Sequence, residues 1–101
     1  MTNARTPTIQ DFEKALLIYY SKYELRTKDI LELFGNIGSA TATRLKRQAK
    51  EYAKANGVSE INAASVDTKA AFKAWGIDIK DIESRYHKLK NLGLYSQDEA
   101  S

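Results

Sequence analysis

The sequence predicts an all-α fold of about five helices, and three observations predict it. Apolar residues recur at helical spacing along most of the chain. Cap-type residues and glycines bound each such stretch. The single proline, Pro7, stands ahead of the first stretch and inside none. A hydrophobic fraction of 43% over 101 residues suits one helical domain spanning residues 1–101. A chain of about 100 residues buries roughly two-thirds of the surface that it exposes when unfolded, so one core is feasible without covalent staples.

The elements follow in order. Thr8 reads as the N-cap of a first helix from about Ile9 to Tyr23, with Asp11 in its opening turn. Phe12, Leu16, Tyr19 and Tyr23 repeat at helical spacing and form its inward stripe, with Ala15 and Tyr20 beside them. "YELR" is a short connection. Thr27 caps a second helix, "KDILELFG", in which Asp29 meets the positive end of the helix dipole and Ile30, Leu31, Leu33 and Phe34 are apolar. Gly35 stops it, and Ile37 anchors the turn "NIGS". Ser39 caps a third helix that reaches about Asn56 and stops at Gly57, with Ala42, Leu45, Ala49, Tyr52 and Ala53 facing inward. "VSEINAAS" fits a short strand, a helical turn or a loop. Asp67 caps "TKAAFKAW", which Gly76 stops, and Phe72 and Trp75 plug the core from there. Asp78 starts a last helix with Ile79, Ile82, Tyr86, Leu89 and Leu92 on one side and Gly93 at its end. The tail at 96–101, "SQDEAS", is expected to fray.

Composition narrows the function. There is no cysteine, which removes disulfides and thiolate metal sites. No apolar run approaches the roughly 18 residues of a membrane span, and the N-terminal stretch has no apolar signal core, so a cytoplasmic protein without membrane partners is expected. No phosphate-binding glycine loop, activated nucleophile or metal-ligand spacing is present, so no enzyme, cofactor, metal or small-molecule ligand is expected, and no catalytic residue is assigned. The lone His87 lies off the apolar line of the last helix and reads as a surface residue.

Net charge is +3, and its distribution carries more than its size. Residues 25–57 hold seven basic and three acidic groups, a balance of +4, while residues 1–24 balance to zero and residues 58–101 to −1. Local positive charge of this kind attracts phosphate backbones.

Counted from Thr27, Gly35 is the ninth residue, where the chain leaves one helix and needs a positive φ. Ile30 and Phe34 before it and Ile37 after it suit buried positions, and Ala40, Ala42 and Leu45 suit close packing of the next helix. This pattern, over about residues 27–57, resembles the helix-turn-helix of DNA-binding regulators of bacteria and phages. Two positions depart from it. Leu31 stands where alanine is common, and Thr41 where some members carry a branched aliphatic residue.

The resemblance implies sequence-specific binding of double-stranded DNA, with the third helix in the major groove. On a helical wheel Thr43, Arg44, Arg47, Lys50 and Lys54 fall opposite the apolar side, with Lys46 at the edge and Glu51 interrupting. Thr41, Thr43, Arg44 and Arg47 are then the base readers, because arginine bonds guanine through two donors and threonine meets thymine by hydroxyl or methyl. Arg26, Lys28, Ser39, Lys46, Lys50 and Lys54 are the backbone contacts. A single unit reads few base pairs, so a homodimer is expected, with Trp75, Ile82, Tyr86 and Leu89 as its contact. The role implied is a small transcriptional regulator or an accessory protein of a mobile element. The alternative is a helical protein-interaction module, an inhibitor or adaptor with no nucleic-acid partner. A wing drawn from "GVSEINAAS" is disfavoured, because the stretch is short and lacks a hairpin turn. Base stacking by Tyr19 and Tyr23 is set below core packing, and Tyr20 is the tyrosine whose exposure is open.

Overall fold

The computed structural model describes residues 7–59 and 63–93. The tail expected to fray and part of the ambiguous stretch after Gly57 lie outside the described residues. Five helices carry the fold: α1 (Phe12–Ser21), α2 (Thr27–Phe34), α3 (Ser39–Ala55), α4 (Thr68–Ala74) and α5 (Ile79–Asn91). Two strands of two residues each, β1 (Glu24–Leu25) and β2 (Val66–Asp67), pair antiparallel with Glu24 opposite Asp67 and Leu25 opposite Val66. The protein is thus a mostly helical small domain with a minimal sheet. No described helix is long and apolar enough to cross a membrane.

The helix starts show which capping group wins locally. Asp11, not Thr8, caps α1: its Oδ1 accepts from the Lys14 N–H at 3.0 Å, so the helix begins three residues later than the first cap-type residue suggests. At the other end Lys22 is already extended, with φ −123° and ψ 132°, because the chain is about to enter the ladder at Glu24. Tyr23 therefore leaves the helical stripe and stands 91% exposed, which corrects its expected place in the core. Arg26, not Thr27, precedes α2, and the Asp29 carboxylate reaches back to accept from the Arg26 N–H at 2.8 Å. Asp29 is buried, and Lys22 Nζ lies 3.4 Å from it. Gly38, not Ser39, precedes α3, which has no side-chain cap. Asp67 and Asp78 cap α4 and α5 as expected, accepting from the Ala70 N–H at 2.9 Å and the Lys80 N–H at 3.0 Å.

Between α2 and α3 the chain turns at Gly35, whose φ is 86° and whose N–H closes the helix on the Leu31 carbonyl at 2.9 Å. An L side chain is strained at that φ, which is why glycine serves there. The bend lets α2 lie against α3. α3 also packs along α4, and α1 bridges α2 and α5. Ala42, Leu45 and Ala49 of α3 have no exposure at all. Trp75, 4% exposed, sits beside them and donates its indole N–H to the Leu45 carbonyl at 2.9 Å. Its ring meets Phe34 of α2 edge-on at 5.5 Å, and Phe72 meets Tyr19 of α1 at 4.9 Å. These aromatic contacts connect α1, α2 and α4 through one core.

Leu45 is the largest of the fully buried side chains of α3. Leu45→Ala is expected to lower unfolding free energy by about 2–5 kcal/mol, the usual cost of a buried leucine cavity. Urea unfolding followed by circular dichroism checks it, and a loss below about 1 kcal/mol would show that this site is not packed as described.

Candidate nucleic-acid interface

Seventeen residues make α3 the longest described helix, and the alternation of small apolar and charged residues along it sets its orientation. Ala42, Leu45, Ala49 and Ala53 recur at three- and four-residue steps and are buried, so the opposite arc must face water. Thr43, Arg47 and Lys54 lie on that arc and are exposed, as is Ser39 at the helix start. From Thr43 to Lys54 the strip runs about 16 Å at ~1.5 Å per residue. Arg26 and Lys28, at the start of α2, are exposed as well.

The remaining residues of the expected site are engaged differently. Lys46 is half-buried, and its Nζ donates to Thr27 Oγ1 across the helix pair at 3.5 Å. Its charge therefore sits beside the start of α2, close in the chain to Arg26 and Lys28. Lys50 is half-buried and donates to the Ala63 carbonyl, which ties α3 to the segment leading into β2. Thr41 is half-buried. Arg44 is half-buried too, and its Nη1 is shielded from water with no hydrogen-bond partner among the described residues. The expected face is thus divided. Thr43, Arg47 and Lys54 form an open strip, Lys46 joins the α2 end, and Thr41 and Arg44 are half-buried.

A groove of about 540 Å³ runs along the C-terminal half of α3. Arg47, Lys50 and Lys54 line one side, and Glu24, Val58 and Asp67 are among the residues of the other. Glu24 accepts from the Ser65 hydroxyl, which fixes its carboxylate at the groove wall. Nothing in the sequence signals this groove, because it exists only where β1 and β2 pair across 40 intervening residues.

The expected dimer contact is reduced. Trp75 and Ile82 lie inside the core of their own chain and offer a second copy no surface. They are buried because α4 and the first half of α5 fold back onto the rest of the domain. Tyr86 and Leu89 remain half-buried, and Lys90 Nζ lies 5.5 Å from the centre of the Tyr86 ring. His87 is exposed. Tyr19 is half-buried against Phe72, whereas Tyr20 is 60% exposed and donates its hydroxyl to Glu83 at 3.3 Å.

Comparison of the chain with protein-family models, curated proteins and solved structures finds no match.

Arg44 Nη1 is shielded and has no partner among the described residues. A shielded N–H without a partner costs about 1–3 kcal/mol, so a residue that keeps the stem and loses the donor is relieved of that cost. Arg44→Met is expected to raise unfolding free energy by about 1 kcal/mol in urea titration. A loss of that size would mean that Arg44 has a stabilising partner in the free protein.

Proposed function

We propose that this protein binds duplex DNA as a helix-turn-helix protein, with α3 laid in the major groove and α2 behind it across the backbone. The observation that carries the reading is the asymmetry of α3: one side is buried without exposure, and the other presents Thr43, Arg47 and Lys54 to solvent. A helix held in this way has a cationic edge and no further packing role for it. Major grooves accept an α-helix, and they are read from its N-terminal part.

Roles follow from position. Thr43 near the start of α3 and Arg47 at its middle, both outward, read base edges. Arg44 lies at the rim of that strip, and its Nη1, which has no partner among the described residues, gains one in a guanine edge or phosphate. Thr41, half-buried, completes the reading set. Lys54 and Lys50 meet phosphates farther along the helix. Ser39, Lys46, Arg26 and Lys28 meet the backbone on the α2 side, where the first amides of α2 add their positive dipole end. The reading extends to a cytoplasmic regulator of transcription or an accessory protein of a mobile element, acting as a homodimer. One such unit covers too few base pairs to select a site alone. Of the apolar stripe first considered for that dimer, Tyr86 and Leu89 are the accessible part.

The test is binding to duplexes selected from a random pool, followed by fluorescence anisotropy across salt concentrations. Affinity is expected to fall with a log–log slope of about −0.9 per phosphate neutralised. Arg47→Ala should cost about 1–3 kcal/mol on the selected site and relax preference at one position. Lys54→Ala should weaken all sequences alike and reduce the slope by about one. Binding that ignores salt, or a double Arg44→Ala, Arg47→Ala variant that binds as tightly as the parent, overturns the proposal.

A further inference from the structure

The three tyrosines near the end of α1 have no part in the duplex reading, and two of them are exposed. Tyr20 and Tyr23 stand beside a second groove, of about 520 Å³, formed where α1 ends and where α4 and α5 begin. That size falls within the range of about 300–1,000 Å³ typical of small-ligand sites. Thr68 and Ile79 lie in its floor and are buried. The Thr68 N–H donates to the Tyr23 carbonyl at 2.9 Å, which fixes the backbone that carries the exposed ring.

Its charge and its polar groups are distinctive. Lys69 and Lys80 line the groove, both exposed, and neither makes an ion pair with a described residue. The one carboxylate in the lining, Asp67, is occupied in capping α4. Lys22 is paired with Asp29. With Lys22 paired and one carboxylate set against two lysines, the groove keeps a net positive charge next to two solvent-facing aromatic rings. Thr68 Oγ1, 2% exposed as a residue, has no hydrogen-bond partner among the described residues. Desolvation, and then the nearby Glu83 carboxylate, raise the Tyr20 phenol above its ordinary value.

We propose that this groove binds a nucleotide unit with an unstacked base, the base lying against Tyr20 and Tyr23 and the phosphate held by Lys69 and Lys80. An aromatic face stacks on any base, and lysines beside it track the phosphate, which is the combination that single-stranded nucleic-acid sites use. Bases inside a duplex are stacked and cannot enter such a groove. The Thr68 hydroxyl gains a partner in an acceptor that reaches the floor. The site is separate from the outward strip of α3 and stands whether or not that strip binds DNA.

The experiment uses the full chain with a labelled short oligothymidylate, thymidine monophosphate, and an abasic sugar-phosphate polymer of equal charge. Amide chemical shifts should move at Tyr20, Tyr23, Lys69 and Lys80 when the oligothymidylate is added. Shifts with thymidine monophosphate alone would assign the site to free nucleotides, and shifts with the oligomer only would assign it to a strand; both support the proposal. Tyr23→Ala should weaken oligothymidylate binding roughly tenfold, as loss of one stacked base does elsewhere. Because Tyr23 is 91% exposed, the variant should fold and keep any duplex affinity of the parent. Lys69→Ala with Lys80→Ala should weaken the same binding and flatten its salt dependence. The proposal is overturned by unchanged oligothymidylate affinity in Tyr23→Ala, by equal affinity for the abasic polymer, by shifts confined to α3, or by no saturable binding. Arg47→Ala separates the two sites, since it should impair duplex binding and leave oligothymidylate binding intact.

Discussion

The buried strip of α3 is the constraint on which the domain is assembled. Ala42, Leu45 and Ala49 are removed from solvent completely, and both α2 and α4 pack against α3. Two of these three residues are alanine, which allows helix axes to approach closely and leaves little room for a longer side chain. Trp75 fixes the register of α4 on α3, because its indole N–H has one acceptor, the Leu45 carbonyl. The same ring then meets Phe34, so α2 and α4 are coupled through the residue that caps the end of α4. Once that strip is inward, helical geometry turns Thr43, Arg47 and Lys54 outward.

The minimal sheet has a comparable role at the other end. Two residues in each strand form too small a ladder to stabilise a fold alone. Their pairing matters because it places the end of α1 next to the start of α4. The Thr68 N–H bond to the Tyr23 carbonyl extends that connection by one residue. Both grooves border the ladder: Glu24 and Val66 line the one beside α3, and Tyr23 and Thr68 line the one beside α1. Two surfaces of different chemistry thus share one short structural seam, the first mixing cations and carboxylates, the second combining cations with aromatic rings.

The helices were legible because their signals are local. Spacing, glycine stops and the caps at Asp67 and Asp78 lie within a few residues of the elements that they define. The starts of α1, α2 and α3 were less so. Thr8 and Asp11 are both good capping residues, and choosing between them needs the backbone conformation. Arg26 and Gly38 carry no cap signature of their own. Tyr23 was misplaced because a stripe of helical spacing continues through it, while the chain itself turns extended at Lys22 to reach a strand partner more than forty residues away. The outward strip of α3 was readable from a wheel. The engagement of Lys46 with Thr27 and of Lys50 with Ala63 was not, since a wheel assumes one buried side and α3 has neighbours over a wider arc. Trp75 shows the same limit: an aromatic in a short segment suits an interface or a core equally until its neighbours are known.

The central claim is that the outer arc of α3 meets DNA. The chain has no cysteine, so one can be introduced at a chosen surface position and carry a photo-crosslinker without competing thiols. Ala40 is exposed at the start of α3, and His87 is exposed on α5. With a duplex obtained by selection, the crosslinker on Ala40→Cys is predicted to join protein to DNA, and the same group on His87→Cys is predicted not to. Crosslinking from α5 and none from α3 would contradict the account.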